Sequence, residues 1–190
     1  MTDSARAGLR PVSGIDALPG ELMMWVLIVS ELLVFGAGLT AFLGVRLTDP
    51  AGFAEAQSHL HRTGAGINTI ILVTSGWLAA LAVRAAEKEE RARTRLLLAV
   101  ASLLGGAFLW IKGIEYADEL AKGITFESHA FFNFYFLLTG FHAAHVVAGV
   151  VILALVSTRA HPRSVETGAA FWHMVDLVWV ILFPVIYLLR

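Results

Sequence analysis

The stretch Ala169–Leu189, AAFWHMVDLVWVILFPVIYLL, decides the fold class of this chain. It is a run of about 20 mostly apolar residues, the length a helix needs to cross roughly 30 Å of hydrocarbon. Inside it stand His173 and Asp176, three residues apart and so on one helical face. An ionisable group at the centre of such a helix costs roughly 2.5 kcal/mol or more, so it turns toward a bundle interior and serves a purpose. The preceding apolar stretch contains TGFHAAHVVAG (Thr139–Gly149), with His142 and His145 at the same spacing.

Outward from this segment the same pattern recurs. Five apolar runs of membrane length are expected: Leu22–Val45, Ile67–Val83, Leu96–Ile114, Ala130–Ser157 and Ala169–Leu189. Hydrophobic residues make up 57% of the 190, more than a soluble domain of this length needs. The expected class is an all-α membrane protein, a five-transmembrane-helix bundle. Residues 1–21 form a polar cytoplasmic segment without a cleavable-signal pattern, and residues 22–190 form the transmembrane domain. Net charge is −1, which offers no nucleic-acid surface. The chain has no cysteine, which excludes disulfides, iron–sulfur clusters and thiolate copper sites.

Basic residues in the connections set direction. With the N-terminus inside, Arg6, Arg10, Arg84, Lys88, Arg91, Arg93, Arg95, Arg159 and Arg163 lie within, against Arg46, Arg62, Lys122 and Arg190 outside. The loop RAAEKEERARTR (Arg84–Arg95) carries most of that bias and reads as a solvated, charged extension of its two helices. The N-terminus is therefore expected in the cytoplasm and the C-terminus in the periplasm.

At 1.5 Å per residue, Glu31, His145 and Asp176 fall about 10–18 Å from the inner edge. With His142 and His173 they are expected to form one buried hydrogen-bonded network that holds the helices together and takes up a proton or a lipid headgroup. Asn68, Lys112 and Glu115 make a second, outer polar layer, with Lys112 snorkelling and paired to Glu115. Neutral imidazole ligates metals, so a bis-histidine b-type haem between His142 or His145 and His173 is one alternative. Glu31 and Asp176 in a proton-coupled transporter is another, against which stands the absence of an inverted repeat. No metal site is expected. Gly140, Ala144 and Ala148 form a small-residue row that suits close helix approach. Pro184 should kink the last span. Trp25, Trp172 and Tyr187 read as interfacial anchors, and Trp77, Trp110 and Trp179 as interior packing.

ETGAA followed by FWHMVDLVWVILFPVIYLL resembles the ExGAxYWHFVDxVW helix that ends cytochrome c oxidase subunit III. TGFHAAHVVAG resembles that family's TGFHGxHVxxG helix. LIVSELLVFG, INTIILVTSG and IKGIEYADEL resemble its conserved-glutamate, NTxxLLxSS and FLxxQxxEY segments. The strings occur in family order from Pro19 to the C-terminus. The resemblance implies a subunit III-like fold lacking the first two helices of the seven-helix form. It also implies a non-catalytic accessory subunit with no cofactor of its own, phospholipid as a ligand, and a catalytic haem-containing membrane subunit as partner. Lys112 stands where the oxidase helix usually has glutamine. By that and by its two ends, the chain is most similar to the branch associated with nitric oxide reductase (the NorE type), with subunit III of an aerobic oxidase next. The family's functional positions then correspond to Glu31, His142, His145, His173 and Asp176.

Overall fold

The structure is a computed structural model describing residues 22–189. The 1–21 segment expected to be cytoplasmic lies outside the described residues. Six α-helices follow in chain order: α1 (Leu22–Arg46), α2 (Pro50–Ser58), α3 (Arg62–Glu87), α4 (Arg91–Ala121), α5 (Ala130–Arg159) and α6 (Pro162–Phe183). The last continues into a single wide π turn, Pro184–Leu188. Five of the six are long and apolar enough to span a membrane. A spanning backbone must satisfy its own polar groups, and a helix does so within each segment.

Helices α3, α4, α5 and α6 pack side by side in that cyclic order, and α1 lies on the outside of α5 and α6. Only Phe35, Leu39 and Phe42 of α1 are buried, whereas α6 buries residues on nearly all sides. Two tryptophans of α6 define the centre. Trp172 is fully buried, and its indole N–H donates to Ser75 Oγ of α3 at 3.1 Å. Its ring fills the space left by Gly105 of α4 and Gly149 of α5, where an added Cβ would come within 2.6 and 2.5 Å of it. Trp179, one layer further, donates to Thr69 Oγ1 at 2.9 Å. A buried indole finds a partner for its N–H, and both partners here come from α3.

The end of the bundle where α3 meets α4 is closed by a three-residue turn. Glu89 adopts a left-handed φ of 59° there, with its own N–H and that of Glu90 bonded back to Ala86 and Ala85. That double bond is the usual way to satisfy the last carbonyls of a helix. The opposite end carries α2, which the apolar pattern alone does not announce. Asp49 caps it by accepting from the Gly52 amide at 3.0 Å, and Pro50 takes the first helical position. Gln57 of α2 donates to Ile186 O at 2.8 Å, and Arg46 of α1 donates to Leu189 O at 2.6 Å. The wide turn at Pro184 leaves carbonyls near the chain end without helical partners, and the first connection supplies them.

Several expectations from the sequence are corrected. Trp172 and Tyr187 are fully buried rather than interfacial, because each has a hydrogen-bond partner inside the bundle. Trp77 and Trp110 are exposed rather than interior. Ala144 and Ala148 point outward, so the row Gly140–Ala144–Ala148 is not the close-packing seam. Gly105 and Gly149 provide that seam instead. Pro184 opens the π turn.

Candidate functional site

Three separate polar centres occupy the bundle, where one network and one outer layer were expected. The first joins α1 to α5. Glu31 Oε2 lies 3.1 Å from His145 Nε2, both side chains being mostly buried. His145 Nδ1 is 2.9 Å from the carbonyl of Phe141, one turn back on its own helix. A carbonyl only accepts, so Nδ1 carries a hydrogen. In neutral imidazole Nε2 would then be bare and would face a bare carboxylate oxygen. A hydrogen bond between the two would need a proton on one of them. The contact is electrostatic rather than a well-directed hydrogen bond, since Glu31 Oε2 has no partner of hydrogen-bond geometry.

The second centre lies toward the α2 end and joins α4, α5 and α6. Lys112 and Glu115 are one turn apart on α4, with Nζ 3.1 Å from Oε2. Lys112 does not snorkel: it is 3% exposed. Its ammonium also contacts the hydroxyls of Tyr135 and Tyr187. Those hydroxyls donate to Glu115 Oε1 at 2.9 and 2.7 Å. The rings of Tyr116, Tyr135, Trp179 and Tyr187 surround the ammonium at 4.7–5.5 Å. A buried ion pair survives only if its remaining hydrogen-bonding capacity is met, and the two tyrosines meet it. Next to it, Tyr116 and Thr139 share a hydrogen bond of 2.5 Å, and the buried Glu119 pairs with Lys122 at 3.0 Å.

Tyr135, Tyr187, Tyr116 and Glu119 were missed from sequence. The spacing Lys112–Glu115–Glu119 on one helical face was the available signal, because two buried acids beside a single lysine need further donors near them. Asn68, expected in this layer, stands apart and donates to the Phe108 carbonyl at 3.2 Å, tying α3 to α4.

The third centre lies between α3 and α6. Asp176 is 8% exposed, and its Oδ2 sits where a Cβ on Gly76 would lie, 2.0 Å away. His173 Nδ1 is 3.9 Å from that oxygen, too far for a hydrogen bond. The His173 side chain is 46% exposed, and Asp176 Oδ1 is buried with no partner.

His142 joins none of these. It is fully buried, stacked on Trp179 at 5.1 Å and edge-on to Phe108 and Phe35, and neither ring nitrogen has a partner. The five residues expected to form one network are thus divided: Glu31 with His145, His173 beside Asp176, and His142 alone. The physical reason is helical rotation. His142 and His145 share one side of α5 but are offset by about 60° around its axis, and that offset turns His142 toward Phe108 of α4 and Trp179 of α6 and His145 toward Glu31 of α1. Among the described residues, no three of His, Asp and Glu gather to hold a metal ion. Aromatic rings of Phe35, Phe108 and Trp179 pack around His142.

The family profile described as "Cytochrome c oxidase subunit III" matches residues 18–190. The chain is similar to cytochrome c oxidase subunit 3 of Corynebacterium diphtheriae, 34% identical over 176 residues, 87% of this chain and 86% of that one. It is similar to the probable cytochrome c oxidase subunit 3 of Mycobacterium leprae, 29% identical over 170 residues (85% and 84%). It is also similar to cytochrome c oxidase subunit 3 of a Synechocystis species, 30% identical over 171 residues (85% and 72%).

Proposed function

The chain belongs to the cytochrome c oxidase subunit III family, and from that premise we propose that it is a non-catalytic accessory subunit of a haem–copper oxidase. It would sit in a bacterial inner membrane beside the catalytic subunit I. The observation that carries this reading is the match along residues 18–190, together with relatives that bear the oxidase subunit name. The same names favour an aerobic oxidase over the nitric oxide reductase branch that Lys112 suggested. Lys112 has a local explanation, because it completes a buried cluster with Glu115, Tyr135 and Tyr187. A lysine there does not require a different complex.

Within such a complex the redox chemistry belongs to the partner. This chain contributes a wall of four packed helices and, at Glu31–His145, a polar contact between α1 and α5. Phospholipid is the small ligand that the family resemblance points to, and the partly exposed Glu31–His145 pair is the polar group it would meet. The basic turn between α3 and α4 is assigned to the cytoplasmic side.

The test is purification of the chain from its own membranes in mild detergent. A co-purifying haem-containing subunit that consumes oxygen is expected, while the isolated chain shows no Soret band. Nitric oxide reduction by the co-purified complex, without oxygen consumption, would return the chain to the reductase branch. Stoichiometric haem in the isolated chain would overturn the accessory reading altogether and favour the b-type cytochrome.

A further inference from the structure

One imidazole at the α2 end of the bundle serves two helices at once. His129 immediately precedes α5, and its Nδ1 accepts from the Phe131 amide at 3.1 Å. Across the ring, Nε2 lies 3.2 Å from Oδ2 of Asp49, the residue that caps α2. The two contacts fix the tautomer. An accepting Nδ1 is bare, so the one hydrogen of neutral imidazole sits on Nε2 and is donated to the carboxylate. A Cβ on Gly52 would lie 3.0 Å from Nε2, so glycine there lets the imidazole sit close to α2. Phe53 of α2 stands edge-on to the ring at 5.4 Å and packs in turn on Phe42 of α1 and Phe131 of α5.

A second proton on this ring acts on the two contacts in opposite directions. Imidazolium has two donors and no acceptor, so it cannot receive the Phe131 amide. It also sets a positive charge at a helix N-terminus, where the helix dipole opposes it. Toward Asp49 the same proton adds a full charge to the hydrogen bond already made. The Gly52 amide, and then His129, hold the Asp49 carboxyl below its ordinary value of 3.8, so the carboxylate persists in mildly acidic solution. Among the described residues, Asp49 is the charged group within ion-pair distance of the ring, and α2 presents only Phe53 and Gly52 to it. The amides of Phe132 and Asn133 bond to the His129 carbonyl, which leaves the Phe131 amide to the imidazole. Phe131 itself is fully buried.

We propose that His129 is an acid-sensitive latch between α2 and α5: neutral, it caps α5 while holding Asp49, and protonated, it releases the α5 cap and turns wholly to Asp49. The first turn of α5 therefore loosens as pH falls, while α2 keeps its own cap. With the basic turn between α3 and α4 on the cytoplasmic side, this end faces the periplasm.

The test follows single amides of the full chain by NMR in detergent micelles, each exchange rate being taken relative to the intrinsic rate at that pH. Between about pH 8 and pH 5, the range in which histidine ordinarily changes charge, protection of the Phe131 amide should fall. The expected loss is about fivefold, that of one helix cap. Protection of the Gly52 amide should stay flat over the same range. The ring signals of His129 should titrate with the midpoint seen at Phe131. His129→Asn supplies a capping oxygen that takes no proton, so Phe131 protection should become independent of pH. His129→Ala should leave that protection low throughout. If His129→Ala does not fold, the unaltered chain and His129→Asn decide alone. Flat protection at Phe131 in the unaltered chain would overturn the latch. A pH dependence that persists in His129→Asn would do the same, since the response would then belong to another group. A parallel fall at Gly52 would mean that both caps open together and would end the claim of selective release.

Discussion

At the scale of single residues, the Lys112–Glu115 pair is the most constrained feature. Removing one member of a buried ion pair leaves an uncompensated charge and costs about 3–5 kcal/mol, whereas replacing both with apolar or neutral groups of similar size costs far less. Lys112→Met should therefore lower the unfolding midpoint strongly, and Lys112→Met with Glu115→Gln should recover most of the loss. Thermal unfolding in detergent measures both, and equal loss in the single and the double variant would show that the charge itself is not the issue. Asp49, outside the spans, gives a pH-dependent counterpart. The Gly52 amide, and then His129, hold its carboxyl below its ordinary value of 3.8. A depressed folded pKa contributes stability that is present above pH 3.8 and lost as pH falls through the lower folded value. Protection of the Gly52 amide, its exchange rate relative to the intrinsic rate at each pH, should thus be flat above about pH 4 and fall below it. Asp49→Asn should abolish that dependence.

At the scale of elements, the α4–α5–α6 junction depends on two missing side chains. Gly105 and Gly149 let the Trp172 ring lie between helices, and an added methyl at Gly105 would meet both Trp172 and Val150 within 2.7 Å. Overpacking of that kind costs about 1–3 kcal/mol. The adjacent Gly106 has nothing within 4 Å of its Cβ position. Gly105→Ala should therefore destabilise the bundle, while Gly106→Ala should be neutral or gain up to about 1 kcal/mol from helix propensity. The two unfolding midpoints, measured side by side, check this. Comparable loss in both would mean that the glycines serve helix flexibility rather than close packing.

At the scale of the molecule, the four helices α3–α6 form a cooperative unit to which α1 is attached on one side. Its links are few: Phe35, Leu39 and Phe42, the Glu31–His145 contact at mid-depth, and Arg46 at its end. Elements with little burial open first. Hydrogen exchange in detergent should show the amides of α1 exchanging ahead of those of α6, and Glu31→Ala should widen that gap without altering α3–α6. Protection of α1 equal to that of α6 would contradict this division.

Much of this is legible in the amino-acid sequence. Apolar length determined the five spans, because a chain in hydrocarbon has to satisfy its backbone inside each segment. Local spacing determined the Lys112–Glu115 pair, because one helical turn brings those two positions together whatever else happens. Which titratable group meets which across helices was decided by the tertiary structure alone. Glu31 finds His145 rather than Asp176, Tyr135 and Tyr187 close on Lys112, and His142 is shut away among rings. The apolar pattern of a membrane helix is nearly uniform around its axis, so it carries little information on rotation. The rotation was set by the fit of Trp172 against Gly105 and Gly149 and by indole hydrogen bonds to Ser75 and Thr69, and such fit exists only once the helices are side by side.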